Sequence, residues 1–167
     1  MKSPRVTILM PALNAERFLP ETLASIWAQT CGDFELLAVD DGSTDRTPDV
    51  LAACRDPRLR VLRNEKRLKL SGALNRGLDE ARGEFVARMD ADDLMRPDRL
   101  ARQLTYMERH PEIGCCGGWV RTFGDGPRQT LKFPVAAENL KAFALFYSPF
   151  AHPSVLFRRE WFAREGL

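Results

Sequence analysis

The chain has 167 residues, 44% of them apolar and 29% charged, the balance of a soluble globular domain long enough to bury a real core. Twenty-five basic residues against 23 acidic give a formal net charge of +2 with no basic stripe interleaved with aromatics, which excludes a dedicated nucleic-acid binder. No leader-like or bilayer-spanning apolar run is evident, so the expected location is cytoplasmic, with any contact at the inner face of the membrane being peripheral.

Val6 to Pro11 is β-branched and apolar and reads as a buried strand that ends in Ala12-Leu13-Asn14. Phe18, Leu19, Leu23, Ile26 and Trp27 then recur at helical spacing, with Pro20 in the first turn and Thr30-Cys31-Gly32 closing the segment. Phe34 to Val39 is a second buried strand, followed by Asp40-Asp41-Gly42-Ser43-Thr44-Asp45. Thr47-Pro48 is expected to cap a short helix reaching about Cys54, and Leu59 to Leu62 is a third strand. Leu70, Ala73, Leu74, Leu78 and Ala81 line one face of the next helix, with Gly83 where a terminating glycine belongs.

The fourth strand carries the most chemistry. The run from Glu84 empties into Asp90-Ala91-Asp92-Asp93, three carboxylates within four residues. In an extended backbone Asp90 and Asp92 would share a face, roughly 6–7 Å apart. Such a pair needs a cation or hydrogen-bond donors to offset its repulsion. Pro97-Asp98 opens the following helix, striped by Leu100, Leu104 and Met107 and ended by His110-Pro111. Beyond it, Cys115 to Phe123 reads as a strand, Ala136 to Tyr147 as a helix and Ser154 to Phe157 as a strand. Cys31, Cys54, Cys115 and Cys116 lack metal-ligand spacing and are expected to be reduced.

Alternating strands and helices imply an α/β fold, a mostly parallel sheet with helices on both faces. Ligands of such sheets bind beyond the carboxyl ends of the strands, where strand order reverses. Pro11 to Asn14, Asp40 to Asp45 and Asp90 to Asp93 each follow a strand, so they should converge on that edge. Oxygen donors without a Cys or His pattern suit Mn²⁺ or Mg²⁺, which share their shell with substrate phosphates. No Walker loop and no Gly-x-Gly-x-x-Gly follows the first strand. Lys69 or Arg67 are candidate counter-charges for a phosphate, although the cluster Arg60, Arg63, Lys66, Arg67 and Lys69 is also explained as a solvated face. Asp41 is a candidate ligand for a base or ribose, and equally a turn former in Asp-Gly-Ser.

Taken together, Val6 to Asn14, Ser25 to Thr30, Val39 to Asp45, Ala73 to Gly77, Gly83-Glu84-Phe85 and Met89 to Asp93 with Pro97 resemble the nucleotide-sugar-binding part of a family 2 glycosyltransferase of the GT-A, Rossmann-like fold. His152 to Arg159 resembles a segment further along in such enzymes. The resemblance implies a single domain over 1–167, cut short on its acceptor side. It implies that Pro11, Ala12 and Asn14 border the nucleotide base, that Asp41 contacts base or ribose, and that Ser43 and Lys69 also lie on the nucleotide side. Asp90 and Asp92 would form the Asp-x-Asp metal motif, with Asp93 assisting through ribose or supporting hydrogen bonds.

The implied reaction is inverting transfer from a nucleoside diphosphate sugar, a UDP-sugar as first guess, to a hydroxyl on a glycan or lipid-linked acceptor in cell-surface polysaccharide or lipopolysaccharide synthesis. The general base of such enzymes lies in a later acidic segment and is expected beyond Leu167, because a surface helix explains Glu160 and Glu165. Lys66 to Lys69 departs from the family's pattern, since relatives often carry glycine there. His152 is a candidate for the acceptor or metal side, or a structural residue before proline. An exposed sheet edge or apolar patch would favour a weak homodimer. Two alternatives are a non-catalytic nucleotide-sugar-binding module and an Asp-based phosphoryl-transfer domain.

Overall fold

The computed structural model describes residues 3–145 and 147–164. In chain order they form β1 (Val6–Ala12), α1 (Leu19–Trp27), β2 (Phe34–Asp40), α2 (Thr47–Ala53), β3 (Leu59–Arg63), α3 (Lys69–Glu80), β4 (Phe85–Arg88), α4 (Arg99–Arg109), β5 (Cys115–Cys116), β6 (Val120–Arg121), β7 (Thr130–Leu131), α5 (Ala137–Ala144), β8 (Leu156–Arg158) and α6 (Arg159–Arg164). A turn of 3₁₀ helix at His152–Ser154 leads into β8. No helix among the described residues is long and apolar enough to cross a membrane.

β1 and β2 are buried at all seven of their positions, which is why they read as continuous apolar runs rather than alternating ones. Alternation still sorts their side chains. Ile8 and Met10 join Leu19, Leu23, Ile26, Leu51, Leu100, Leu104 and Met107 on the face covered by α1, α2 and α4. Leu9, Leu37, Val39 and Val86 face α3 through Ala73, Leu74 and Leu78. A Cβ on Gly77 would lie 2.2 Å from Leu9 Cδ1, so glycine is what lets α3 sit this close to the sheet.

The main sheet runs β3-β2-β1-β4-β8-β5. The pairs among β3, β2, β1 and β4 are parallel, while β8 is antiparallel to both β4 and β5. The order reverses at β1, placing the switch point between β1 and β4. Because β8 runs the other way, the chain enters it at the edge where the parallel strands leave. The expected mostly parallel sheet with helices on both faces is therefore present, and it follows the mostly parallel GT-A layout.

Local expectations need several corrections. Phe18 is 43% exposed and precedes α1 instead of lining its buried face. Thr47 does not cap α2: it is the first helical residue, and its hydroxyl accepts a hydrogen bond from Ala15 N. Cys115 to Phe123 is not one strand. The chain leaves the sheet at Gly117, where a Cβ would meet Phe150 Cδ1 at 2.5 Å, and resumes as a two-stranded hairpin of β6 and β7. Glu160 opens α6 and is exposed, as expected, while Glu165 lies outside the described residues.

At the opposite edge, a buried polar knot ties the end of α3 to the first two strands. Thr7 Oγ1 donates to Glu35 Oε1 at 2.7 Å and accepts from the N–H groups of Arg82 and Gly83. Arg60 Nη1 donates to Glu35 Oε2 at 2.9 Å, and Arg82 N–H donates to Oε1. Desolvation works to raise the Glu35 carboxyl, but the hydrogen bonds from Arg60, Thr7 and Arg82 outweigh it and hold it below its ordinary 4.5. A depressed carboxyl contributes stability above its unfolded value and loses it as pH falls through its folded value. Glu35→Gln should therefore destabilise the fold by about 2–3 kcal/mol near neutrality. In denaturant titrations, the gap from the wild type should shrink as pH is lowered below about 4.5. A gap constant with pH would show that the charge is not what matters.

Candidate functional site at the carboxyl edge

The segments after β1 and β2 are built as one unit. Asn14, at φ +51°, turns its N–H onto Ser43 Oγ at 3.0 Å, and its Oδ1 accepts from Thr44 N–H at 2.9 Å. Two residues on, Glu16 N–H donates to Asp45 Oδ2 and Arg46 N–H returns to Glu16 Oε2. Pro11 and Ala12 are buried under this interlock, and Ala12 O accepts from Asp41 N–H. Asn14 and Ser43 thus have evident structural duties. Asn14 is nevertheless exposed at the rim of the edge, whereas Ser43 is buried.

Asp40 and Asp41 have opposite assignments. Asp40, 1% exposed, turns back to accept Ser43 N–H and pairs with Arg63 at 3.5 Å. Asp41, one residue on, points to the α3 side and accepts on Oδ1 from Asn64 Nδ2 at 2.6 Å and from Leu68 N–H at 2.7 Å. It is 4% exposed and fixes the loop that enters α3, a role the Asp-Gly-Ser pattern did not reveal. Its Oδ2 makes no hydrogen bond among the described residues, so one carboxylate oxygen remains for a ligand. Lys69 is exposed at the start of α3 with φ +64°, a left-handed backbone that glycine adopts without strain. The departure from a glycine at this loop therefore carries a conformational cost.

The acidic turn differs from its expected geometry. β4 ends at Arg88, and the chain turns at Ala91-Asp92 with Asp93 N–H reaching Asp90 O at 3.4 Å, so Asp90 and Asp92 are not on one extended face. Ala91 is buried and its carbonyl accepts Thr22 Oγ1, which pins the turn to α1 and breaks the strand geometry. Asp92 is exposed, while Asp90 and Asp93 are half-buried. Burial first, then the Asp90 and Asp92 carboxylates, push the Asp93 carboxyl above its ordinary range against the pull of Arg88 and Arg99. Asp93 therefore lies within electrostatic reach of both Asp90 and Asp92.

Arg88, missed in reading the run before Asp90 as apolar, is 5% exposed and forms an ion pair with Asp90. A charge inside an otherwise apolar strand was the signal that could have found it. It walls a cavity of about 280 Å³ with Leu9, Ser71, Leu74, Asn75, Leu78, His152, Val155 and Phe157. His152 is thus brought to the site: burial and the Arg88 charge lower its imidazole, and Asp90 raises it. Arg99, at the start of α4, donates to Arg88 O at 2.9 Å and to Val155 O, tying the end of β4 to the approach to β8. Burial brings its guanidinium down to about 10, still fully charged at neutral pH.

This donor set fits a hard divalent ion. Mutually repelling oxygens collect in one turn, and such ions take only one or two carboxylates when phosphates and water complete the shell. No three His, Cys, Asp or Glu side chains among the described residues form a preassembled cage. The remaining ligands would have to arrive with a substrate.

The family model described as "Glycosyl transferase family 2" matches residues 7–164. The amylovoran biosynthesis glycosyltransferase AmsE of Erwinia amylovora is 33% identical over 159 residues, covering 92% of this chain and 60% of that protein. The chain spans little more than half the length of several curated relatives it matches, 56% and 52% in two cases. Among solved structures, the mannosyltransferase PcManGT from Pyrobaculum calidifontis, in complex with GDP-Man and Mn²⁺, aligns with a TM-score of 0.75 at 26% identity, covering 99% of this chain and 48% of that one. S. aureus TarS 1-349 in complex with UDP-GlcNAc aligns at 0.79 and 21% identity, covering 97% and 47%, a likeness of fold.

The left-handed backbone at Lys69 gives a direct prediction. Lys69→Gly should raise unfolding stability by up to about 1 kcal/mol, once the strain relieved is set against the entropy glycine adds to the unfolded chain. Chemical denaturation of the two proteins measures this, and a clear loss of stability would mean that the lysine side chain holds the loop.

Proposed function

Since the chain belongs to glycosyl transferase family 2, we propose that its carboxyl edge binds a nucleoside diphosphate sugar and serves metal-assisted, inverting transfer of that sugar to an acceptor hydroxyl. The observation that carries this reading is the meeting of Asn14, the free oxygen of Asp41, and Asp90 to Asp93 at one edge beside the strand-order reversal.

Each residue then has a task. Pro11, Ala12 and Asn14 border the base, with Ser43 shaping that wall. Asp41 offers Oδ2 to a base N–H or a ribose hydroxyl, both hydrogen-bond donors. Asp90 and Asp92 would hold Mn²⁺ or Mg²⁺, with Asp93 supporting them. When bound, such an ion supplies Lewis-acid stabilisation of the charge that grows on the leaving diphosphate. Lys69, exposed at the start of α3, is a counter-charge for the phosphates. Inversion also needs a general base on the acceptor side, opposite the leaving group. We assign that base to no residue of 1–167.

A uridine nucleotide is the first donor to test. The solved relatives' complexes with UDP-GlcNAc and with GDP-Man make both uridine and guanosine reasonable candidates. A glycan or lipid-linked hydroxyl in cell-surface polysaccharide synthesis is the acceptor class we favour, in keeping with the amylovoran biosynthesis relative.

Calorimetric titration of UDP, GDP and dTDP with Mn²⁺, repeated in EDTA, tests the donor site. One nucleotide should bind, and only with metal; binding unaffected by EDTA would remove the metal role. In the same titration Asp92→Asn should lose at least tenfold in affinity, about 1.4 kcal/mol, with an unchanged melting temperature because Asp92 is exposed. Unchanged affinity in that variant would contradict its assignment.

A further inference from the structure

Arg88 has a second feature that its ion pair with Asp90 does not explain. It is 5% exposed; Nη1 faces Asp90 Oδ2 in the ion pair, while the buried Nε has no hydrogen-bond partner among the described residues. A guanidinium carries five donors and stays charged at any ordinary pH. Burying one with Nε unsatisfied is costly, and such a group calls for an explanation, of which completion by a ligand is one.

Alternation along β4 aims Arg88 at the α3 side of the sheet, the side on which Val86 packs and toward which Asp41 points. There it walls the cavity that also carries Ser71, Asn75 and His152. The charged groups around it are Asp90, Asp93, Arg99 and His152.

Resting on the donor-site reading above, we propose that Arg88 is a positioning residue that makes cation and diphosphate binding interdependent. In the empty site it is the counter-ion of Asp90. A divalent cation that takes Asp90 by itself puts positive charge beside a buried arginine and removes the carboxylate paired with it. Arginine cannot relieve this by losing its proton. The cation alone is therefore rejected. A diphosphate that enters with it supplies anionic oxygens both to the cation and to the arginine, at the unpartnered Nε and at the Nη1 that Asp90 releases, in the fork geometry that guanidinium offers to phosphate. Each ligand then raises the affinity of the other by the same factor.

The test uses Mn²⁺ alone and inorganic pyrophosphate, so it does not depend on which nucleotide is the donor. Protein-bound Mn²⁺ is read by equilibrium dialysis as the manganese retained with the protein, with Mn²⁺–pyrophosphate free to exchange across the membrane and counted as unbound. In the wild type, pyrophosphate should tighten Mn²⁺ binding to the protein at least tenfold. Arg88→Met and Arg88→Gln, checked for folding by circular dichroism, should bind Mn²⁺ alone at least tenfold more tightly than the wild type and lose the pyrophosphate enhancement. Arg88→Lys, which keeps a buried cation without the fork, should still reject Mn²⁺ alone but regain little of the enhancement. A merely structural arginine would weaken both ligands together in every variant.

The proposal is overturned if wild-type protein binds Mn²⁺ equally well with and without pyrophosphate, or if removing the charge leaves affinity for Mn²⁺ alone unchanged or lower. Failure of the donor-site reading would look different: the interdependence would hold for pyrophosphate, while no nucleoside diphosphate would bind better than pyrophosphate does.

Discussion

The register of β1 against its two neighbours is the constraint on which the rest of the site depends. β1 is hydrogen-bonded to β2 along its whole length, Val6 opposite Phe34 through Ala12 opposite Asp40. Against β4 it is paired only from Val6 to Leu9, the last pair being Leu9 with Arg88. β1 therefore runs three residues past the end of β4, and the acidic turn folds into the notch beside Met10 to Ala12. A one-residue slip of β4 would exchange the faces of Ala87 and Arg88, burying alanine where the cavity needs a charge. Gly83, just before β4, lets the chain pass against the β1 backbone at Val6 and Thr7 more closely than a side chain would allow.

What the notch gathers is a charge balance. Three carboxylates in one turn repel, and the protein offsets them partly with the buried Arg88 and the half-buried Arg99 instead of with backbone donors alone. Arg99 ties the backbone at the ends of β4 and the approach to β8, so it is committed to the fold. Arg88 is only partly committed. A site that holds its own counter-charge is stable when empty and open to exchange when a doubly charged ion and an anion arrive together. The same edge is closed on its other side by the reciprocal hydrogen bonds between the segments after β1 and β2, which leave little freedom at Asn14 and Asp41.

Much of this could be read from residues in order. Continuous apolar runs gave the buried strands, helical spacing gave α1, α3 and α4, and three polar segments after strands gave the edge. Motifs at known spacing pointed to the family. Reading failed where tertiary contacts outvoted local pattern. Thr47 looked like a cap, yet its hydroxyl was needed by Ala15 from another loop. Asp90 and Asp92 looked like alternating strand positions, yet the Ala91 carbonyl, bonded to Thr22 on α1, bends the chain there. Asp41 read equally as a ligand or a turn former, and it also anchors a loop 27 residues away that neither reading foresaw. Arg88 was legible only as a charge out of place, because its partner and its cavity are made by α3 and the approach to β8.

The central claim is that one edge holds the base, the diphosphate and a divalent ion together. A crystal structure of the chain with UDP and Mn²⁺, or with whichever nucleoside diphosphate binds, tests it most directly, because manganese is located by its anomalous signal. The account predicts a manganese peak within coordination distance, about 2.0–2.2 Å, of an Asp90 or Asp92 oxygen and of the diphosphate, with the base beside Asn14 and Asp41. A nucleotide bound elsewhere, or a manganese ion at the diphosphate with no carboxylate of the acidic turn in its shell, would contradict it.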